Sequence, residues 1–182
     1  MNLIKTKLDG LVVLKPTIFK DNRGYFMESY NQKNINKLLG NVNFVQDNES
    51  ESSRGVLRGL HFQKPPYTQA KLVRCLKGSV LDVVLDIRKG SKTYGIFETF
   101  SLTEENKKQL FIPKGFAHGF VVLSKSAIFS YKVDNYYNPD SESGVLWSDL
   151  NLNIDWKINK KEIIVSEKDK NLPNFNKIIS PF

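Results

Sequence analysis

The sequence predicts an all-β fold, either a sandwich or a barrel. Short runs rich in β-branched and aromatic residues recur along most of the chain, separated by Gly, Pro, Asn and Asp. Only residues 31–39, NQKNINKLL, have the length and pattern of a helix, which Gly40 ends. A length of 182 residues with 40% hydrophobic content suits one domain spanning residues 1–182.

Nine strands are predicted from these runs. The first two are LVVL (11–14) and GYFMESY (24–30), before the helix. Seven follow it: VLRGLHFQ (56–63), KLVRCL (71–76), SVLDVVLDIR (79–88), GIFETFSL (95–102), QLFIP (109–113), HGFVVLS (118–124) and SAIFSYKV (126–133). Turn signals such as Lys77-Gly78 separate neighbouring strands. After about residue 157 the chain is polar and irregular, with one helical turn predicted near SEKDK.

Alternation within the strand 79–88 leaves one face mixed. Its apolar face carries Leu81, Val83, Leu85 and Ile87. The other face carries Val80, Asp82, Val84, Asp86 and Arg88. That face could line a ligand cavity inside an antiparallel barrel of eight to ten strands, whereas periodicity alone favours contact with water.

The strand 56–63 contains one of the two histidines. Strict alternation puts His61 on the face opposite Arg58. The two side chains can share a pocket only if the strand is irregular, and Gly59 is a natural site for a bulge that re-aims one of them.

Composition excludes several classes of function. The net charge of +8 comes from scattered lysines without a basic block, which predicts a solvated surface rather than nucleic-acid binding. The start, MNLIKTKLDG, lacks an apolar signal region, and no apolar run approaches the roughly 18 residues of a membrane helix. Cys75 cannot form an internal disulfide and is expected to be a buried small hydrophobe. We therefore expect a cytoplasmic protein with no membrane contact.

Familiar catalytic patterns are absent, including GxGxxG, the P-loop, GxSxG, CxxC and HExxH. The two histidines, His61 and His118, lack the spacing of metal ligands, so no metal site is expected. What remains is a set of polar residues in strand contexts: Arg23, Glu28, Gln46, Asp47, Asn48, Arg58, His61, Lys71, His118, Tyr131, Glu142, Lys168 and Asp169. Taken singly, a histidine or tyrosine in such a strand is more often structural than catalytic.

Read together, five segments carry a specific resemblance. They are DNRGYFMESYNQ, FVQDNESESSRGVLRGLHFQ, KLVRCLKGSVLDVVLDIRKGSKTYG, LFIPKGFAHGFVVLSKSAIFSYKVDNYYNPDSESGVLWSDLNLNIDW and SEKD. In this order, from about residue 10 to 170, the chain resembles the dTDP-4-dehydrorhamnose 3,5-epimerase family. The resemblance implies a cupin-like antiparallel jelly roll, a homodimer, and epimerisation of a dTDP-linked 4-keto sugar at C3 and C5 without metal or redox cofactor.

The resemblance also implies roles for individual residues. It makes His61 the base, Asp169 its orienting carboxylate, Tyr131 the acid that returns a proton from the opposite face, and Lys71 the cation beside the C4 oxygen. The substrate-contacting positions would be Arg23, Glu28, Gln46, Asp47, Asn48, Arg58, His61, Lys71, His118, Glu142 and Lys168. The equivalents of Arg23 and Glu28 would reach the dimer partner's site.

Three alternatives stay open. The first is an epimerase acting at C3 only or on another nucleotide-linked 4-keto sugar. The second is a non-catalytic sugar-nucleotide binding module, and the third is a metal-dependent cupin enzyme. One departure from the family pattern is Pro65-Pro66, in a loop that could alter the rim of the sugar pocket.

Overall fold

The computed structural model describes all 182 residues as thirteen strands, two α-helices and three short 3-10 helices. The strands are β1 (Asn2–Lys5), β2 (Val12–Lys15), β3 (Phe19–Asp21), β4 (Gly24–Phe26), β5 (Gln46–Ser53), β6 (Leu57–Gln63), β7 (Lys71–Lys77), β8 (Ser79–Asp86), β9 (Phe97–Thr103), β10 (Gln109–Ile112), β11 (Phe116–Val122), β12 (Ser126–Val133) and β13 (Glu142–Gly144). The helices are α1 (Gln32–Leu39) and α2 (Glu167–Lys170). The predicted all-β class is confirmed.

Two antiparallel sheets form the body of the molecule. One has six strands in the order β1-β2-β10-β7-β12-β5, and the other has five in the order β13-β6-β11-β8-β9. The pair β3 and β4 forms a separate hairpin. Large apolar side chains fill the space between the two sheets, and Phe120 of β11 stacks on Phe129 of β12 at 4.2 Å between ring centroids.

The outer face of each sheet is also covered. Helix α1 buries Ile35 against the six-stranded sheet, and its ends follow the sequence signals, since Asn31 caps it and Gly40 ends it at φ +80°. The segment after β13 packs Ile154 and Trp156 on the five-stranded sheet. The tail after about residue 157, which was predicted to be polar and irregular, adds Ile158, Ile163 and Val165 to this cover.

A bulge in β6 confirms the irregularity predicted at Gly59. His118 pairs with His61, but two residues further along β11 Phe120 pairs with Arg58, three residues back along β6. One extra residue therefore lies in β6, and Gly59 adopts φ +124° there. A Cβ at Gly59 would lie 2.5 Å from the Cα of Gly119, so the close approach of β11 requires glycine.

Four strands were not predicted: β1, β3, β5 and β13. The most consequential is β5, QDNESESS, which contains no apolar residue and so gives no hydrophobic period. Its burial nevertheless alternates, with Gln46, Asn48, Ser50 and Ser52 facing inward. The predicted strand 24–30 is also shorter and ends at Phe26.

Both carboxylates on the mixed face of β8 are buried, so the expectation that this face contacts water was wrong. Asp82 and Asp86 are each 0% exposed. Asp86 accepts hydrogen bonds from Arg88, Ser91 and Thr93. Although burial alone raises the pKa of Asp86, these donors outweigh it and lower that pKa to about 2.

Three other findings bear on the class of protein. Cys75 is buried, as predicted, and burial raises the pKa of its thiol to about 11. No helix has the length and apolar character needed to cross a membrane. No three His, Cys, Asp or Glu side chains converge as metal ligands would.

Candidate active site

Two adjoining chambers open between the sheets, with volumes of about 490 Å³ and about 290 Å³. His61, Lys71 and Tyr131 line both chambers. His61 belongs to β6 of the five-stranded sheet, whereas Lys71 and Tyr131 belong to β7 and β12 of the six-stranded sheet. The sandwich therefore presents a histidine from one side of the cavity and a tyrosine and a lysine from the other.

His61 is paired with a buried carboxylate. Its Nε2 lies 2.7 Å from Oδ1 of Asp169, and the backbone N–H of Gly59 donates to Oδ2 at 3.2 Å. Burial raises the pKa of Asp169, but the hydrogen bonds from His61 and Gly59 outweigh it and hold that pKa below its usual value. Asp169 therefore stays ionised at neutral pH and orients the imidazole.

Helix α2 fixes the position of Asp169. The hydroxyl of Ser166 accepts a hydrogen bond from the backbone N–H of Asp169 at 3.1 Å and so caps the helix. Because Ser166 caps the helix three residues before Asp169, the Asp169 carboxylate faces the bulge of β6. The predicted helical turn at SEKDK is confirmed, and its function is to bring a residue 108 positions away in sequence to His61.

The second histidine has its own carboxylate. Nε2 of His118 lies 2.8 Å from Oδ2 of Asp82, and both side chains are buried. His118 lines the larger chamber and stacks against Phe129 at 6.2 Å between centroids. The family resemblance implied a substrate contact at His118 but did not indicate this partner.

Lys71 and Tyr131 lie together on neighbouring strands, with the Lys71 ammonium 5.7 Å from the centre of the Tyr131 ring. Burial lowers the pKa of Lys71 to about 8, against the opposing charges of Glu142 and Asp82. Burial also raises the pKa of Tyr131, although the charge of Arg58 opposes this. Tyr131 is therefore protonated at neutral pH and can act as a proton donor.

The smaller chamber carries a polar network. Lys168 and the hydroxyl of Tyr137 both donate to Oε2 of Glu142. Burial raises the pKa of Glu142, but these two donors and the nearby His61 lower it overall. Gln46 and Asn48, from the inward face of β5, line the same chamber.

Arg58 lines the larger chamber together with His61, because the bulge at Gly59 turns both toward it. Its guanidinium donates to the hydroxyl of Ser52 from β5 at 3.2 Å. Arg58 is thereby placed at the mouth of the chamber, with further donors free for an anionic ligand.

Three predicted contacts lie outside the chambers of their own chain. Asp47 is on the outward face of β5 and pairs with Lys132 at 2.8 Å. Arg23 pairs with Asp21 in the β3–β4 hairpin, and its side chain is 86% exposed. Glu28 is exposed and accepts hydrogen bonds from side-chain amides before and within α1.

Several residues of the site were missed by the sequence reasoning. They are Glu49, Ser50, Ser52, Gln63, Gln69, Phe129, Tyr137 and Ser166. Most are uncharged, so charge patterns do not indicate them. The period-2 alternation of polar residues in QDNESESS is the one signal that could have found Ser50 and Ser52.

Comparisons with known proteins agree with this geometry. The family model described as dTDP-4-dehydrorhamnose 3,5-epimerase matches residues 5–177. A protein of that name from Shigella flexneri is 51% identical over 176 residues, covering 96% of each chain. The chain belongs to the dTDP-4-dehydrorhamnose 3,5-epimerase family.

Solved structures of similar proteins extend the family match to the fold. The dTDP-6-deoxy-D-glucose-3,5-epimerase of Legionella pneumophila Philadelphia 1, in complex with dTDP-4-keto-L-rhamnose, has a TM-score of 0.93 and 47% identity over 98% of this chain and 94% of its own. A 3′-monoepimerase of Streptomyces bikiniensis, in complex with dTDP-quinovose, has a TM-score of 0.88 and 31% identity over 93% and 85%. The cupin-like jelly-roll class is confirmed.

Proposed function

We propose that the chain is an isomerase that converts dTDP-4-dehydro-6-deoxy-D-glucose to dTDP-4-dehydro-L-rhamnose by epimerisation at C3 and C5. The observation that carries the proposal is the placement of a carboxylate-paired histidine and a protonated tyrosine on opposite sheets, around one cavity. Inversion of a carbon needs a proton removed on one face and returned on the other. Two facing sheets can supply both groups without any movement of the backbone.

The chemistry starts at His61. The 4-keto group acidifies the hydrogens on C3 and C5, because the carbanion delocalises into an enolate. Nε2 of His61 is held by Asp169, so Nδ1 takes the proton and the carboxylate stabilises the imidazolium that forms. The electron pair of the broken C–H bond moves onto the C4 oxygen.

Lys71 stabilises the enolate, and Tyr131 protonates it. The Lys71 ammonium lies in the low-dielectric interior, where a preorganised charge stabilises a developing oxyanion by several kcal/mol. Tyr131 then delivers its hydroxyl proton to the other face of the carbon. Each step is a proton transfer, so the proposed reaction needs neither a redox cofactor nor a metal.

The nucleotide would occupy the outer part of the two chambers. Arg58 has free donors for the diphosphate, and the Tyr137 ring is half-exposed beside Glu142 and Lys168. Gln46 and Asn48 offer amide groups to the base. The Legionella relative binds dTDP-4-keto-L-rhamnose, which has the nucleotide and the keto sugar that these two regions suit.

We also propose that the chain is a single cytoplasmic domain acting as a homodimer. Arg23 and Glu28 lie outside the chambers of their own chain. The same hairpin exposes Phe19 and Phe26, at 62% and 70%, which are surfaces that a second subunit could cover. In this arrangement the partner's hairpin would complete each site.

Epimerisation at C3 alone is the second candidate, because the Streptomyces relative of the same fold is a 3′-monoepimerase. Proton NMR of dTDP-4-keto-6-deoxyglucose with the protein in deuterated buffer tests both. Exchange at C3 and C5 with formation of the lyxo product supports the double epimerase. Exchange confined to C3 indicates the monoepimerase, and no exchange at either carbon contradicts both.

A further inference from the structure

Asp82 is a buried carboxylate with one hydrogen-bond partner. It is 0% exposed, its Oδ2 lies 2.8 Å from Nε2 of His118, and its Oδ1 has no partner at all. Leaving a carboxylate oxygen unpaired in the interior costs free energy. An apolar side chain at this core position would avoid that cost, so the carboxylate needs an explanation other than packing.

The other carboxylate of the site is better satisfied. Asp169 accepts from His61 at one oxygen and from the Gly59 N–H at the other. Asp82 has His118 only, so its interaction is directed wholly to that ring. The charge of Asp82 also acts on Lys71, where it opposes the effect of burial on the lysine pKa.

The geometry fixes which nitrogen of His118 a ligand can meet. Nε2 faces Asp82, and the ring stacks on Phe129 with 22° between planes. Nδ1 makes no hydrogen bond to the protein, and the ring lines the larger chamber. Nδ1 is therefore the atom left for a bound molecule.

We propose that Asp82 is a positioning residue that holds His118 with Nε2–H bound to the carboxylate and Nδ1 directed at the sugar. This inference rests on the proposed function for the identity of the sugar. Because Nε2–H stays engaged with Asp82, the neutral ring presents only the lone pair of Nδ1 to the cavity. His118 then serves as a fixed hydrogen-bond acceptor for a hydroxyl group of the sugar, while His61 removes the proton.

The test uses the full-length protein labelled with ¹⁵N-histidine. The chain has two histidines, so His61→Asn and His118→Gln variants assign every imidazole signal. The expected wild-type spectrum shows neutral His118 as the Nε2–H tautomer. Asp82→Asn keeps an acceptor oxygen and should preserve this tautomer, whereas Asp82→Leu should give a mixture of both.

Kinetics separate positioning from packing. We expect Asp82→Leu to lower kcat about tenfold or more with the affinity for thymidine diphosphate unchanged, and Asp82→Asn to restore part of kcat. Asp86→Leu is the matched control, because Asp86 is equally buried on the same strand but bonds to Arg88, Ser91 and Thr93 rather than to His118. It should lower the melting temperature without altering the His118 signals.

Each outcome is decisive. A wild-type Nδ1–H tautomer, or His118 signals unchanged by Asp82→Leu, overturns the positioning role. The wild-type spectrum alone decides the tautomer if the leucine variant does not fold. A wild-type protein that fails to turn over the keto sugar contradicts the proposed function, whereas the spectra still decide the role of Asp82.

Discussion

His61 and His118 lie directly opposite each other on neighbouring strands, and each presents Nε2 to a different carboxylate. The two imidazoles thus contact a carboxylate through the same ring nitrogen but differ in environment. The His61 side chain is 27% exposed, whereas that of His118 is 7% exposed. The more accessible ring suits proton exchange with substrate and solvent, and the enclosed ring suits a fixed hydrogen bond.

Replacement of His61 should abolish chemistry without preventing binding. We expect His61→Asn to lower deuterium exchange at both C3 and C5 by about 10²–10⁴-fold, because a general base contributes on this order. Thymidine diphosphate should bind as in the wild type, since the proposed nucleotide position lies in the outer part of the chambers, away from His61. NMR exchange and calorimetry measure the two effects, and normal turnover by the variant contradicts the assignment of His61.

Replacement of Tyr131 should affect the two carbons unequally. Tyr131→Phe removes the hydroxyl that returns a proton, and we expect a larger loss at C5 than at C3. Following deuterium incorporation at each carbon by proton NMR gives both rates in one sample. Tyr137→Phe is a matched control, because its hydroxyl bonds to Glu142 at the half-exposed edge of the smaller chamber. Equal retention of both epimerisations in Tyr131→Phe would refute the role.

The pKa of Lys71 predicts an alkaline limit to activity. The ammonium form is present below a pKa of about 8 and is lost as the pH rises through that value. If this charge stabilises the enolate, kcat should fall with an apparent pKa near 8. Lys71→Arg should move the fall to higher pH, because a guanidinium stays charged. An unchanged pH profile of kcat in that variant assigns the fall to another group.

Mixed dimers test whether Arg23 serves the partner's site. Arg23→Ala and His61→Ala chains, each inactive alone, should form dimers in which one site carries both defects and the other carries none. Random mixing should then recover about a quarter of wild-type activity, because half of the dimers are mixed and half of their sites are intact. If Arg23 acts within its own chain, every mixed site has one defect and no activity returns.

The Asp86 network should stabilise the fold in a pH-dependent way. Its pKa falls from 3.8 to about 2 on folding, so its contribution is complete above pH 4 and is lost as the pH falls through about 2. This shift corresponds to about 2 kcal/mol. Asp86→Asn should lose that amount of unfolding free energy at pH 7, and the difference from wild type should narrow below pH 4. Glu51→Gln, on the exposed face of β5, should change little.

Much of the fold follows from the sequence, and the exceptions have physical reasons. Apolar alternation located β6, β7, β8, β11 and β12. It failed for β5, whose inward residues are polar because they face the cavity rather than the core. It also misjudged Asp82 and Asp86, because buried carboxylates look like solvent-facing ones until their donors are known.

The site was predictable where the family motifs include its residues. The family motifs led to His61, Lys71, Tyr131 and Asp169, which the fold brings to one cavity. The sequence did not predict the contact between His118 and Asp82. The two residues lie on different strands, and Asp82 has no other hydrogen-bond partner that could have indicated its role. Likewise Asp47 follows the motif but faces away from the cavity of its own chain.

The extra residue at Gly59 limits how the catalytic side chains of β6 can be transferred to another protein. Moving the side chains of β6 onto an idealised, evenly pleated strand would send either Arg58 or His61 to the wrong side of the sheet, since one residue reverses every later side chain. A designer would have to copy the irregular backbone first and choose residues second. A transferred site would have to include the bulge of β6 and also Gly119 of β11, because Gly119 has no side chain and lets the two strands approach closely.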